Sequence, residues 1–596
     1  MENYPIDTAR HTLAHVMAYA VKQLYPDVKF GIGPVVENGF YYDLDLDHAL
    51  NEKDFPKIEK LMREIIAKKV EVEHRYIPVG EALKEAKSEG QKYKAELLED
   101  IKSGKRMAIT DEDIEQQKDG KISFYTIGDF TDLCKGPHVE NTGDLPADGF
   151  KLMTVAGAYW RGDEKNPQMQ RLYAVAFEDK EKLDNYLYMV EEAKKRDHRK
   201  LGKQLDLFTF SDLVGSGLPL YTPRGALIRR LLNEYIESMQ TEAGYSQVWT
   251  PQITKGELFK KSGHYEKYKD KMFRVKSNFS EEEFFIKPMN CPQHTQIYAS
   301  QMRSYRDLPL RYTDFAMLYR DEKPGELNGL ARVRSFSQDD CHIFCREDQV
   351  DQEIDTALEM TKKVMATFGL KYRYRLSTRD PKHPEQYIGD PETWDKAEKW
   401  AEKIMKRNDI EYFDGPGEAA FYAPKMDLMA TDALGREWQL STIQIDYFMP
   451  ERFDLTYVDK DGQTKRPVMI HRAILGSPER FMMVLIEHYA GAFPLWLSPV
   501  QVAVINISEK QQAWAEFVIH TLNHAGIRPE LYNQNETLGK KIRNAEIQKI
   551  PYLFVIGDKE VEAKSVAVRK RKDGDLGVMA IETAVAQLKE EIEQKK

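Results

Sequence analysis

The chain has 596 residues, of which 41% are hydrophobic, 31% charged and 11% aromatic; this is a globular composition, too long for a single core, so several domains are expected. With 97 acidic against 87 basic residues the formal net charge is -10, which excludes a generally basic nucleic-acid coat but leaves room for local basic patches that meet phosphate. Four scattered cysteines, Cys134, Cys291, Cys341 and Cys345, exclude a disulfide framework, and none forms a CxxC pair of the zinc-ribbon kind.

The opening MENYPIDTARHTLAH has no apolar segment of the signal-peptide kind, and no apolar run reaches the length of a membrane span. A cytoplasmic protein is expected. Residues 8–24 place apolar side chains at helical spacing. VKFGIGPVVENGFYYDLDL reads as a bent hairpin. Residues 51–70 and 80–100 read as charged helices. ISFYTIGDFTDLCKGPHV reads as a strand, a turn and a short element bearing Cys134 and His138. Residues 1–180 then make an α+β domain of ordinary size.

Residues 181–204 read as one charged linker helix, free of Gly and Pro until Gly202. Its basic end, KKRDHRK, either faces phosphate or is solvated charge, and spacing alone favours the solvated linker. Residues 205–496 set strand-like segments (YSQVWTPQI, FFIKPM, RYTDFAMLYR, WQLSTIQIDYF) between long helices without a regular βαβ order. That predicts an antiparallel sheet with flanking helices. No GxGxxG or Walker loop is present, so a nucleotide here would be held another way. Residues 497–596 alternate strands and helices, which predicts a small α/β domain.

Three segments of the central region carry chemistry. LYRDE and RVRSFSQDDCHIF flank the loop KPGELNGLA, which predicts a hairpin with Arg320 and Glu322 on one arm and Phe336 on the other. Alternation would put Arg320 and Glu322 on one face. A guanidinium holds phosphate bidentately, a carboxylate accepts from an adenine amino group, and an aromatic ring stacks on a base. A cross-strand ion pair on a solvated face is the other reading of the same residues. In HRAILGSPERF, Gly476 ends a strand, Ser477 and Pro478 start a helix, and Arg480 falls in its first turn, where the helix dipole disfavours a cation. A triphosphate would supply the reason. The third segment is a helix over 225–243 followed by YSQVWTP, with Pro251 closing a strand.

In this order the three segments resemble the motifs of class II aminoacyl-tRNA synthetases. The resemblance implies an antiparallel-sheet catalytic domain that binds ATP with Mg2+ and homodimerises through the first motif. It assigns Arg320 to the α-phosphate, Glu322 to the adenine amino group, Phe336 to the adenine ring, Arg332 to a phosphate and Arg480 to the γ-phosphate. MNCPQH, DDCHIF and MIHRAILGS resemble the threonyl-tRNA synthetase family more narrowly. There the residues matching Cys291, His342 and His471 bind one zinc; taken singly, each is as readily a buried thiol or a structural histidine. The same resemblance gives Asp340, Tyr422 and Gln444 to the threonine, Gln338 to the tRNA end, and His264, in KSGHYEKY, to transfer onto tRNA.

Zinc with three protein ligands keeps an open position that the amino and hydroxyl groups of L-threonine can fill, and valine lacks the hydroxyl. Serine lacks only a methyl group, worth roughly 1–3 kcal/mol, so a further sieve is expected. HTLAH and CKGPH space His11 with His15, and Cys134 with His138, at i, i+4, on one helical face if helical. With Tyr42, Lys94 and Asp132 they resemble the editing domain of threonyl- and alanyl-type synthetases, which implies hydrolysis of Ser-tRNA. Four Cys/His side chains suit a second zinc equally well. Asn535, Glu560 and Arg569 match anticodon-reading positions of the family's C-terminal domain, where exposed single-stranded base edges are read.

Bacterial members often begin with a small ubiquitin-like domain, and this sequence starts at the editing domain. Asn328 stands where the family usually has histidine, and Cys341 replaces a commonly smaller residue. A synthetase-like RNA-binding regulator without aminoacylation, or a prolyl or seryl specificity, are the competing readings. The intact Arg320/Glu322/Arg480 and Cys291/His342/His471 sets argue against the regulator, and the zinc trio beside a fused HxxxH/CxxxH domain argues against both.

Overall fold

The computed structural model describes residues 4–103 and 121–595. It divides into two compact units, Met1–Glu191 and Glu192–Lys596. Among the described residues no helix is long and apolar enough to cross a membrane.

The first unit is built on the helix Ile6–Leu24. Most of its side chains are buried, His15 among them. With the helix Phe55–Ala67 it shares one core with an antiparallel sheet that includes the strands Gly39–Asp45, Phe150–Tyr159 and Gln168–Ala176. A second sheet joins Val72–Pro78, Lys121–Ile127 and Phe130–Leu133. The single helix expected over 80–100 is two, Val79–Ser88 and Lys92–Ser103, separated at Gly90 with φ +67°. The linker expected as one helix is also two, Lys180–Arg196 and His198–Gln204. Asp197 breaks it by accepting the Arg199 N–H as an N-cap.

In the second unit an eight-stranded sheet runs Ser246–Gln247, Leu310–Asp314, Asp340–Cys345, Val468–Ala473, Glu437–Asp446, Lys425–Thr431, Lys371–Thr378, Tyr412–Pro416. It is antiparallel except at its two edge pairs, as the lack of βαβ order predicts. Alternation divides its faces. Cys341, Ile343 and Cys345 turn into the core shared with the helices Pro223–Glu242, Val350–Phe368 and Pro478–His488. Phe344 joins the smaller core on the opposite face. Residue 341 therefore packs among helices, away from His342, and the Cys341 departure is a matter of core volume.

The C-terminal part of this unit is an α/β layer with strand order Pro529–Tyr532, Val502–Asn506, Tyr552–Ile556, Ser565–Lys570, Gly574–Ala580. The first three strands are parallel and the last two pairings antiparallel. The strand Gly574–Ala580 and the short helix Asp558–Glu562 have no counterpart in the sequence reading.

Between the strand Val468–Ala473 and the helix Pro478–His488 the chain turns at Gly476, with φ +69°. A Cβ there would meet the Leu440 carbonyl oxygen at 2.2 Å. Both the backbone angle and the contact exclude a side chain. Gly476→Ala is expected to lower the thermal unfolding midpoint, through strain on the order of 1–3 kcal/mol. A variant melting with the parent would show that this backbone has room to move.

Candidate active site

Strand register assembles the first cluster. His342 pairs directly with His471 on the neighbouring strand, and His471 pairs with Gln444 on the next. Three side chains distant in sequence thus project side by side from one sheet face. Cys291 arrives from the first residue of the helix Cys291–Ala299. One ligand atom from each of Cys291, His342 and His471 lies within 4.8 Å of the others.

The donors suit zinc. His471 Nε2 lies 2.9 Å from Asp446 Oδ2, and His342 Nδ1 lies 2.7 Å from His294 Nδ1. The remaining nitrogens, His342 Nε2 and His471 Nδ1, face each other at 3.0 Å. Outer partners of this kind fix the imidazole tautomers of metal ligands. Burial pushes the Cys291 thiol well up and the His342 imidazole well down; a metal ion offsets the first, and the neutral imidazole is the form that ligates. The helix N-terminus also favours a thiolate. Gln444 Oε1 is buried beside them without a hydrogen-bond partner among the described residues.

These residues line a cavity of about 930 Å³, together with Arg320, Glu322, Arg332, Phe336, Gln338, Asp340, Tyr422 and Arg480. The hairpin pairs Met317–Tyr319 with Ser335–Ser337. Arg320 and Glu322 lie just beyond its strand, so strand alternation does not set their direction. Arg320 is held instead by its N–H, which donates to Arg334 O at 2.9 Å, and by its guanidinium, 4.9 Å over Phe336 and 5.5 Å over Tyr268. Arg480 donates through Nε to Ala331 O at 3.0 Å and through Nη1 to Gln439 O at 3.2 Å. Burial, then Arg320 and Arg332, pulls its pKa down. Three guanidiniums that repel one another in one cavity make a site for a polyanion. Burial raises the Asp340 carboxyl, and the Tyr422 ring lies 4.8 Å from that of His471.

His264 does not line this cavity. It is fully buried, with Nε2 3.4 Å from Cys291 Sγ and 3.2 Å from Met289 Sδ. The Ser262 hydroxyl donates to Phe259 O and so accepts from His264 Nδ1 at 2.9 Å, which leaves the lone pair on Nε2. Burial and the nearby His471 bring its pKa down to about 3.

The second cluster lies in the first unit. His11 and His15 share a helix face, as their spacing predicts. Cys134 and His138 are not on a helix. A turn through Gly136, at φ +73° with Tyr125 against it, brings them together. Cys134 Sγ is 3.1 Å from His11 Nε2 and 3.2 Å from His138 Nε2. The tautomer of His138 follows from Thr12. Its hydroxyl donates to Thr8 O at 3.0 Å, so it accepts from His138 Nδ1 at 3.1 Å. The His138 Nε2 lone pair then points at the cysteine. Burial holds the Cys134 thiol up at about 12, so this sulfur is a thiol at neutral pH unless a metal binds it. Lys94 pairs with Asp132 at 2.5 Å, and Tyr42 donates to the same carboxylate.

Asn535 is exposed after the strand Pro529–Tyr532. Glu560 accepts the Gly557 N–H at 2.8 Å as the capping box of its own short helix. Arg569 borders a surface recess with Lys549 and Lys572. Among the described residues no hydrogen bond or ion pair joins these three.

Sequence reasoning passed over several groups. Asp446 stands two residues after Gln444 and His294 three after Cys291, a spacing that could have exposed both. Beyond His294 lies Asp314, 3.8 Å away, which accepts from Thr250 Oγ1 at 2.6 Å. Glu479, beside Arg480, is another such group. It is buried, accepts the Ser337 N–H at 3.0 Å and the Ser477 hydroxyl at 2.8 Å, and faces Arg229 at 3.4 Å. It thereby ties all three motif segments together.

Residues 273–489 match the tRNA synthetase class II core domain (G, H, P, S and T). Residues 501–591 match an anticodon binding domain, and 122–173 the threonyl and alanyl tRNA synthetase second additional domain. The chain is 49% identical over 570 residues to the threonine–tRNA ligase of Deinococcus radiodurans, covering 94% of this chain and 85% of that one. It is 48% identical over 587 residues to the threonine–tRNA ligase of Thermus thermophilus, covering 96% and 86%. Among solved structures, the RNA binding domain of threonyl-tRNA synthetase from Cryptosporidium parvum superposes with a TM-score of 0.63 at 38% identity, covering 66% of this chain and 98% of that one.

Glu479→Ala strands two donors and a facing guanidinium in the interior. It is expected to cost about 1–3 kcal/mol per unsatisfied buried group, read by calorimetry as a clear drop in the midpoint of the second unit. An unchanged midpoint would show that Glu479 does not tie these segments.

Proposed function

The chain belongs to the threonyl-tRNA synthetase family, and from that premise we propose how its residues divide the work. The protein is a class II threonine–tRNA ligase with an editing domain. We assign editing to residues 1–180, a linker to 181–204, catalysis to 205–496 and anticodon reading to 497–596. Asn535, Glu560 and Arg569 would take part in that reading. We place the protein in the cytoplasm as a homodimer.

Cys291, His342 and His471 would hold one zinc, which when bound supplies an open coordination position for the amino and hydroxyl groups of threonine. Asp340 receives the substrate ammonium, while Tyr422 and Gln444 close the pocket, Gln444 with its free Oε1. Glu322 accepts from the adenine amino group and Phe336 supports the ring. Arg320 and Arg332 hold phosphate near the reacting centre, and Arg480 holds the γ-phosphate of ATP bound with Mg2+. The threonine carboxylate attacks the α-phosphorus in line, and pyrophosphate leaves. The chain contributes positioning and fixed positive charge. Gln338 meets the tRNA 3′ end. His264 keeps the lone pair that transfer to tRNA requires, but acts there only once Met289 moves off its Nε2.

The second cluster removes serine. In it the His138 Nε2 lone pair, once the Cys134 thiol turns off it, takes a proton from the water that attacks the ester carbon and returns it to the tRNA oxygen as that bond breaks, freeing serine. Tyr42, Lys94 and Asp132 form the adjoining polar wall, and His11, His15 and Cys134 complete the cluster. The same four Cys/His donors suit a second zinc.

The observation that carries this reading is the trio of soft donors placed by register in the same cavity as three arginines. Cys291→Ala is expected to release the bound zinc, read with a colorimetric chelator, and to lower threonine-dependent ATP–pyrophosphate exchange by more than about 100-fold. Full exchange without zinc would remove the metal from the account. His138→Ala should leave exchange unchanged and abolish deacylation of Ser-tRNA. Normal clearance by that variant would place editing elsewhere.

A further inference from the structure

The segment Arg196–Asp197–His198, which spacing assigns to solvated charge, is instead held inside the second unit. His198 is 4% exposed. Its Nδ1 lies 2.7 Å from Glu487 Oε1, which also accepts the His198 backbone N–H at 3.2 Å. On the other side of the ring, the Leu330 N–H donates to Nε2 at 3.1 Å. That donation needs a lone pair on Nε2, so the ring proton sits on Nδ1 and is given to Glu487. Arg196 Nη1 donates to the carbonyls of Glu487 and His488 at 3.3 and 3.0 Å, at the end of the helix Pro478–His488. Glu487 completes its contacts through an ion pair with Arg436.

Leu330 belongs to the tight turn 328–332, where the Asn328 N–H donates to Arg332 O at 3.1 Å and the Ala331 N–H to Asn328 O at 2.8 Å. The Ala331 carbonyl is the acceptor for Arg480 Nε. Next to it, Gly329 has φ +47°, and a Cβ there would fall 2.0 Å from His198 Nε2. The imidazole is wedged where the turn has no side chain. The Asn328 departure lies at the start of this turn, where its backbone N–H and C=O make the turn's hydrogen bonds.

We propose that His198 is a positioning residue for the adenylation step: it pins the turn 328–332 to the helix that carries Arg480, and so fixes Arg332 and Arg480 relative to each other. One imidazole bridges the two segments that bring guanidiniums to the nucleotide cavity, and it does so from the linker. Without it, the turn keeps its local hydrogen bonds and its contact with Arg480 but loses its tie to Glu487 at the far end of that helix. The turn, and Arg332 with it, must then be ordered by ATP itself, which weakens ATP binding without touching the threonine pocket. This inference rests on the reading that Arg332 and Arg480 meet ATP.

The test is ATP–pyrophosphate exchange on the full-length, zinc-loaded protein, with KM measured separately for ATP and threonine. His198→Ala is expected to raise KM for ATP about 10-fold, the worth of one buried hydrogen bond, with KM for threonine and zinc content unchanged. His198→Gln, whose amide oxygen can accept the Leu330 N–H, should recover part of the loss. Gly329→Ala, which drives the turn off the ring, should reproduce it and covers the case of a His198→Ala protein that does not fold. Arg480→Ala separates the two ideas. If Arg480→Ala weakens ATP binding while neither His198→Ala nor Gly329→Ala does, the positioning role is overturned and the functional reading stands. If none of the three changes KM for ATP, both fall. A His198→Ala protein with a lower melting point but an unaltered KM for ATP also overturns the proposal, because it shows a purely structural contact.

Discussion

The chemistry of the second unit depends on the antiparallel register of three adjacent strands. His342, His471 and Gln444 are direct cross-strand partners, so their spacing is set by the sheet and not by flexible loops. Because side chains alternate, a one-residue slip of the His471 strand would turn Ile470 or Arg472 into the cavity and send the histidine among the helices. The register is guarded by the opposite face. Cys341, Ile343, Ile443, Ile445 and Ile470 are packed in the helical core, and a slip of the His471 strand would pull Val468 and Ile470 out of it. Hydrophobic burial on one side of the sheet thus fixes the spacing of His342, His471 and Gln444 on the other.

Buried carboxylates then lock the arginine-bearing segments to that sheet. Glu479 joins the hairpin, the first motif helix and the third-motif turn. Asp339 accepts the Ile474 and Gly476 N–H groups at 2.7 and 3.0 Å, and burial, opposed by Arg472, raises its carboxyl to about 7. Each carboxylate is costly to bury and is tolerated because backbone N–H groups and a guanidinium face it. The return is preorganisation. Arg480 is already held by two carbonyls before any ligand arrives, so its direction owes little to the substrate.

What was legible in the sequence divides along physical lines. The third-motif turn could be read because its signals are local: a glycine with no room for a Cβ, a serine cap and a proline in the first helical turn. The Ile6–Leu24 helix announces itself by periodicity, whereas the Asp340–Cys345 strand is legible only as part of the hairpin's returning arm, which in fact holds two strands. Site residues were found by resemblance to a family, and most of them do line the cavity or the second cluster; His264 sits behind it, since nothing in KSGHYEKY tells of Met289 and Cys291 closing over the ring. The i, i+4 spacing of Cys134 and His138 puts them on one face only if they are helical, and it is blind to the φ of Gly136, whose turn brings them together instead. The break at Asp197 was invisible because the carboxylate that holds the next residue, Glu487, comes from the far side of the catalytic sequence. Arg320 and Glu322 share a site without sharing a strand, so the right grouping was reached through the wrong geometry.

The helix Pro478–His488 is tied at both ends by groups outside it. Ser337 and Arg229 meet Glu479 in its first turn, and Arg196 caps its last carbonyls. A helix ordinarily loses its amide protons to solvent by unravelling from the tips. This one has no free tip, so its amides exchange only when the surrounding domain opens. The linker helix Lys180–Arg196, with Leu183 as its one buried side chain, lies at the opposite extreme. Deuterium uptake along the chain would change from fast to slow within a few residues of Asp197, where the side chains pass from solvent into the interior of the second unit.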